Sequence, residues 1–291
     1  SLSDGTATFS IDSNGTIRTL ATLDYEQTQQ ISIRAKVTDE HNASIEKVFT
    51  VTVLNMDEGQ APSSGSGTTQ DPYLIETLSH LNWLSHTTSA RNKHFALTND
   101  LNASETATWA QGYGFKPIAS FSGSFDGRGH VVRGLTINRP KSSNVGLFAS
   151  LQNAKVLNLH LSDAWLSGKV SVGMLAGSIA NSTIENCSAS GKLTGYKTVG
   201  GLVGFSAVRS KIRKSKSSGS VTGTNQRIGG LVGHNYTHSE ITDCYSSSTV
   251  DGPNWTGGLV GLNTISSVIS RCYGTGPVNK KGLVGSNHNQ G

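Results

Sequence analysis

The chain has 291 residues, enough for two ordinary domains, with 34 glycines, only 15% charged residues and a net charge of +5. Aromatics at 7% argue against a deep aromatic-rich pocket, and the charge is too modest and too spread out to demand an acidic partner. No run of about 18 apolar residues is present to cross a membrane as a helix.

From the N-terminus, "SLSDGTATF" reads as the middle of a domain rather than a signal peptide, so the sequence is expected to be a piece of a longer chain. Residues 1–58 alternate with period two: Ile31, Ile33, Ala35 and Val37 share one face of a run, and Phe49, Val51 and Val53 share a face of the next. Short alternating runs separated by turn letters predict an antiparallel β-sandwich. "GQAPSSGSGTTQDP" (59–72) has no periodicity and reads as a linker or domain entry. "YLIETLSHLNWLS" (73–85) is the one helical candidate, with Leu74, Leu78, Leu81 and Leu84 at helical intervals.

The remainder, grouped with that helix as 73–291, repeats from about residue 145. Val145, Val172, Val199, Ile228 and Thr256 open successive units at intervals of 27, 27, 29 and 28. Ile184, Ile212, Ile241 and Ile269 each stand three residues before Cys187, Ser215, Cys244 and Cys272. Leu193, Val221, Val250 and Val278 follow those six residues later. The even offset keeps both positions on one face of a strand, whereas the odd offset calls for a corner between the Ile and the Cys. A parallel β-helix satisfies both, with glycine easing the bends. Leu159, Cys187, Ser215, Cys244 and Cys272 then form one inward ladder, in which the thiols act as small buried apolar groups. The cysteines lack C-x-x-C spacing, which favours this packing role over metal or redox use. An α-solenoid is disfavoured by the Ser, Thr, Gly and Val content of the unit.

The stretches "VGGLVGF", "IENCSASGKLTG", "ITDCYSSSTVDG" and "FSGSFDGRGHVVRGLTI" resemble the GLUG-motif repeat family of secreted and surface-attached bacterial proteins, across about residues 71–291. That resemblance implies a right-handed parallel β-helix and no particular activity. The fold class expected is therefore all-β: a β-helix preceded by a partial sandwich. Residues 9–58 resemble a cadherin-type repeat through "FSIDSNGTI", "LDYE", "AKVTDE" and "VTVLNMDE". This second resemblance implies Ca²⁺ held by Asp24, Glu26, Asn55 and Asp57 at one end, with Asp39 serving a site at the other. Hard oxygen ligands of this kind suit Ca²⁺.

No catalytic constellation is written in the repeats. Glycoside hydrolysis needs two nearby carboxylates, and Glu240 and Asp243 share a coil without acidic neighbours at the same offset in adjacent coils. "FDGRGH" resembles the first coil of pectin-lyase-like enzymes, but Asp126 with Gly127 and Gly129 reads more simply as a turn. No H-E-x-x-H or G-x-S-x-G elbow occurs. Two surface features remain. The basic run "RSKIRKSK" (209–216), with Lys214 and Lys216, is either an anion-binding strip or a solvated face. His160, Ser188, Lys216, Tyr245 and Tyr273 follow the inward ladder by one residue and must point outward, placing two tyrosines on adjacent coils with Trp255 in a nearby turn. Aromatic faces beside polar groups suit sugar rings.

The reading is a structural and adhesive segment of a large extracellular bacterial surface protein, with matrix or cell-surface glycans and the rest of its own chain as partners, and no specific nucleic-acid site. The alternatives are a β-helix lyase or hydrolase on acidic polysaccharide, or an accessory domain beside a peptidase.

Overall fold

The computed structural model describes residues 2–4, 8–21, 23, 28–53, 59–279 and 282–288, and the chain divides into two compact units, Ser1–Asp57 and Glu58–Gly291.

The first unit is antiparallel, as its period-two patterning requires. Strands Gln30–Thr38 and Ser44–Thr52 form a hairpin in which Ile33 faces Phe49 and Val37 faces Ile45, and Leu2–Asp4 pairs with the first of them. A shorter hairpin joins Phe9–Ile11 to Ile17–Thr19. Phe9, Ile33 and Val53 are buried, while Val37 and Ile45 at the far end of the same face are open.

The second unit is a parallel β-solenoid of about seven turns. Each turn contributes strands to three faces. One face stacks Lys155–Leu157, Thr183–Glu185, Lys211–Arg213, Glu240–Thr242 and Val268–Ser270 in parallel register. The second carries the long strands His160–Gly173, Ser188–Gly200 and Lys216–Gly223, continued by Tyr245–Ser246 and Tyr273–Gly274. The third runs from Phe148–Gln152 through Ala176–Ala180, Val203–Ala207, Val232–Asn235 and Val260–Thr264 to Val284–His288. Val156, Ile184, Ile212 and Ile241 are fully buried beneath the first face, and Leu166, Leu193, Val221 and Val250 beneath the second.

The solenoid starts well before the repeats become legible. Tyr73–Ile75 is a strand, paired in parallel with His94–Leu97, so the expected helix over 73–85 begins only at Leu78. Thr77 caps it by accepting from the His80 amide at 3.2 Å. Tyr73 and Ile75 are aromatic and β-branched, and a neighbouring strand is present for them to join. The helix, Leu78–His86, buries Leu78, Leu81 and Leu84 against the early coils. The stretch 59–72 is bound to this unit: the Gln60 amide donates to Ser79 Oγ at 2.9 Å, and the His94 amide donates to the Gly67 carbonyl at 3.1 Å.

The corner between Ile and Cys exists, but glycine does not make it. Asn158, Asn186, Lys214, Asp243 and Arg271 occupy it with φ between 47° and 55°. Asn and Asp tolerate this left-handed region because the short side chain bonds locally; Lys and Arg adopt it at a cost met by the stack around them. The doubled glycines of "GGLVG" serve close approach instead. A methyl group at Gly230 would overlap the Gly258 carbonyl on the next coil, and one at Gly201 would overlap that of Gly230. In the earlier unit without the second glycine, Met174 takes this place, fully buried. Ala189 there stands at the register position where the next two coils have Ser217 and Ser246.

Candidate functional site

Three side-chain ladders run along the inside of the coils. In the expected one, Leu159, Cys187, Ser215 and Cys244 are buried and Cys272 is half-buried. The column is more than apolar filling. The Cys187 amide donates to Ser215 Oγ at 3.1 Å, the Ser215 amide to Cys244 Sγ at 3.4 Å, and the Cys244 amide to Cys272 Sγ at 3.4 Å. The left-handed corner residue just before each position turns that amide away from the strand ladder, and the next coil's side chain receives it. Burial pushes the Cys187 thiol up to about 12, so it stays protonated.

Sequence reasoning missed a second ladder. Ser182, Ser210, Ser239 and Ser267 are buried, and the amides of Ala154, Ser182, Ser210 and Ser239 donate to their hydroxyls in turn at 3.1–3.3 Å. It also missed a third, in which Asn235 Nδ2 donates to Asn263 Oδ1 at 2.9 Å and Asn263 Nδ2 to Asn287 Oδ1 at 3.0 Å. The signal was present: "VGHN", "VGLN" and "VGSN" end the same strand in three successive units.

On the outside, the second face brings together part of the sequence-derived site. His160, Ser188, Lys216, Tyr245 and Tyr273 lie in one register column. Tyr245 and Tyr273 stack with ring centroids 5.1 Å apart and planes 2° from parallel. The Lys216 ammonium lies 5.9 Å from the Tyr245 ring centre, a cation–π contact. His160 Nδ1 is 2.8 Å from Ser188 Oγ, and burial, followed by the Lys216 charge, holds its pKa below the usual histidine range. The positive charge of the column is therefore that of Lys216.

Lys214 and Trp255 lie elsewhere. Lys214 occupies a corner and pairs with Glu185 at 3.6 Å. Trp255 is on strand Asn254–Gly257, with the Arg227 guanidinium 5.6 Å from its ring and the His288 ring 6.3 Å away. Two of the five basic residues in the run are paired from the neighbouring coils, since Arg213 also pairs with Glu240 at 3.2 Å.

The acids are engaged too. Asp163 binds Arg133 at 3.1 Å, Asp243 binds Arg271, and Asp251 accepts from Asn279. Asp126 Oδ1 accepts from the Arg128 amide at 2.8 Å and from Asn158 Nδ2 at 2.9 Å, a turn cap joined to the corner column. It borders a broad polar cleft of about 750 Å³, whose floor includes His94, Ser124 and Lys155. Asp24, Glu26, Asn55 and Asp57 lie outside the described residues. Asp39 closes its hairpin: its Oδ1 accepts from the amides of His41 at 2.9 Å and Ala43 at 2.8 Å. Among the described residues no group of three or more His, Cys, Asp or Glu side chains is placed to hold a metal ion, and no helix is long and apolar enough to cross a membrane.

Stacked coils with inward polar ladders define a parallel β-solenoid repeat protein. Residues 224–251, one full coil from Thr224 to Asp251, match the family model described as the GLUG motif, so this coil is a GLUG-motif repeat as its text implied. The chain is 36% identical over 165 residues to halomucin from Haloquadratum walsbyi, covering 53% of this chain and 2% of that one. It is 32% identical over 133 residues to a putative Gly-rich membrane protein from Evansella cellulosilytica, covering 41% of this chain and 15% of that one. The chain thus spans only a small part of the length of these curated relatives.

Proposed function

We infer that the chain is a structural segment of a large surface protein, whose solenoid unit holds a long patterned exterior in fixed register, and that this exterior serves adhesion. The observation that carries this reading is the continuity of the three inward ladders from coil to coil. Two of them satisfy the buried amides that the corners release, and the asparagine ladder pairs side chain with side chain. All tie each coil to the next, so stability accumulates through neighbouring contacts. The likeness to halomucin and to a Gly-rich membrane protein supports placement at the cell surface. The engaged carboxylates of Asp163, Glu185, Glu240, Asp243 and Asp251 favour a non-enzymatic role, because each already has a partner on an adjacent coil.

Antibodies raised against this chain and applied to intact cells of the producing organism test the placement. Labelling is expected before lysis, with loss of signal after brief external proteolysis. Signal appearing only after lysis would rule out a surface role.

A further inference from the structure

We propose that the second face carries a binding groove for an anionic saccharide, anchored by Lys216 and walled by Tyr245. The proposal rests on the surface role inferred above and names the chemistry of the contact.

The groove arises from the backbone. In strands Ser188–Gly200 and Lys216–Gly223, Gly191 (φ 146°) and Gly219 (φ 97°) adopt conformations closed to most side chains. Side chains there would also overlap neighbouring carbonyls: a methyl group on Gly191 would meet that of Ala164, and one on Gly219 that of Gly191. Gly191 and Gly219 pair with each other in register, so this part of the face carries no side chain on two adjacent coils. The resulting cavity, about 200 Å³, is lined by Ser188, Ser190, Lys216, Ser218, Tyr245 and Ser247, with Ala189 and Ser217 beneath.

Its lining has three chemical parts. Lys216 supplies a charge that lacks a carboxylate: among the described residues it forms no ion pair, whereas Arg213 and Lys214 from the same run pair with Glu240 and Glu185. The serines supply a row of hydroxyls. Ser190 donates to the Leu161 carbonyl and Ser188 pairs with His160 Nδ1, which leaves them acceptor lone pairs. Ser218 and Ser247 complete the row with hydroxyls of the kind sugar hydroxyls pair with. Tyr245 supplies an aromatic wall, held upright between the Lys216 ammonium and the parallel ring of Tyr273. Both faces of that ring are taken by these neighbours, so it offers its edge and hydroxyl. An apolar sugar patch along that edge, with hydroxyls directed to serines, divides the contacts as in a polar ligand site.

Extent separates a saccharide from a lone anion. Ser188, Lys216 and Tyr245 belong to three successive coils, two steps of about 4.8 Å each, so the groove runs about 10 Å along the stack. A sulfate ion engages Lys216 alone. A chain of sugar units bearing a sulfate or a carboxylate engages all three coils.

The test measures binding of the whole chain, by calorimetry at low and physiological salt, to heparin oligosaccharide, polygalacturonate oligosaccharide, dextran, sodium sulfate and duplex DNA. Heparin or polygalacturonate is expected to bind, with dextran and sulfate at least tenfold weaker; which of the two wins identifies the acidic group. Lys216→Gln is expected to weaken binding roughly tenfold or more, as loss of a charge-assisted contact does. Lys214→Gln, which removes a paired lysine, is expected to change it less than about twofold. Circular dichroism of each variant guards against misfolding, and Ser218→Asn provides a second, conservative blocking variant that should also weaken binding. Failure of both acidic saccharides to bind, equal loss in the two lysine variants, or DNA binding as tight as the saccharides would overturn the proposal. Surface labelling is read separately, so an empty groove and an intracellular location are distinguishable results.

Discussion

His234 shows what burial among the coils does to a single side chain. It lies in register between Phe205 and Leu262, with the Phe205 and Tyr236 rings 5.2 and 5.3 Å from its own. Its Nε2 is 2.9 Å from Thr264 Oγ1, and an Arg227 guanidinium nitrogen is 3.5 Å from Nδ1. Burial first, then the charges of Arg227 and Lys197, lower its pKa from 6.5 to about 4. The folded value lies below the unfolded one, so the unfolded chain takes the proton first as pH falls. Stability contributed by neutral His234 is complete above about pH 6.5 and declines as pH drops toward 4. Urea midpoints measured from pH 7 to 5 should fall for the native chain and fall less steeply for His234→Gln; parallel curves would refute the assignment. Nothing in the sequence announced this residue. Its titration depends on neighbours contributed by other coils, which no local motif encodes.

At the scale of one coil, the glycines and the ladders set the tolerance to change. Gly230 has an ordinary φ, so its requirement is steric: an added methyl meets the Gly258 carbonyl above it and the Ser246 hydroxyl beside it. Gly230→Ala should therefore cost about 1–3 kcal/mol through overpacking, read as a lowered thermal midpoint. Gly129, whose position is open apart from its φ of 86°, serves as a contrast with strain but no clash. An unshifted midpoint for Gly230→Ala would show that the coils part easily there. The coil itself was legible from text, because Ile184 and Cys187 recur at fixed offsets and an odd offset calls for a corner. What makes the corner was not legible. Glycine was expected from its freedom, yet Asn186, Lys214 and Asp243 hold the left-handed conformation, since the stacked coils stabilise it from both sides. The helix boundary at 73–85 failed for a related reason: leucine spacing fits both states, and only the neighbouring strand His94–Leu97 decides that Tyr73–Ile75 extends.

Across the whole molecule, the repeats announced the solenoid and the column of Lys216, Tyr245 and Tyr273, because register follows directly from the period. Trp255 was grouped with that column, and Lys214 with Lys216 in the basic run, by chain proximity, which says little when successive residues turn a corner onto another face. The early coils were assigned to the β-helix by resemblance, but the period itself is legible only from about residue 145, because Phe95, Phe121, Phe125 and Phe148 fill the interior where later coils use Ile, Val and Cys. In-register stacking brings residues of the solenoid more than a hundred positions apart onto one face. Spin labels at Lys155→Cys and Val268→Cys, with Cys187, Cys244 and Cys272 replaced by the serine found naturally at position 215, test it by pulsed electron resonance. These exposed positions lie on the same face through Thr183, Lys211 and Glu240, four coil steps apart. Stacking requires a narrow distribution near 19 Å, from about 4.8 Å per coil. A broad distribution centred near the roughly 60 Å of a flexible chain of that length would contradict it.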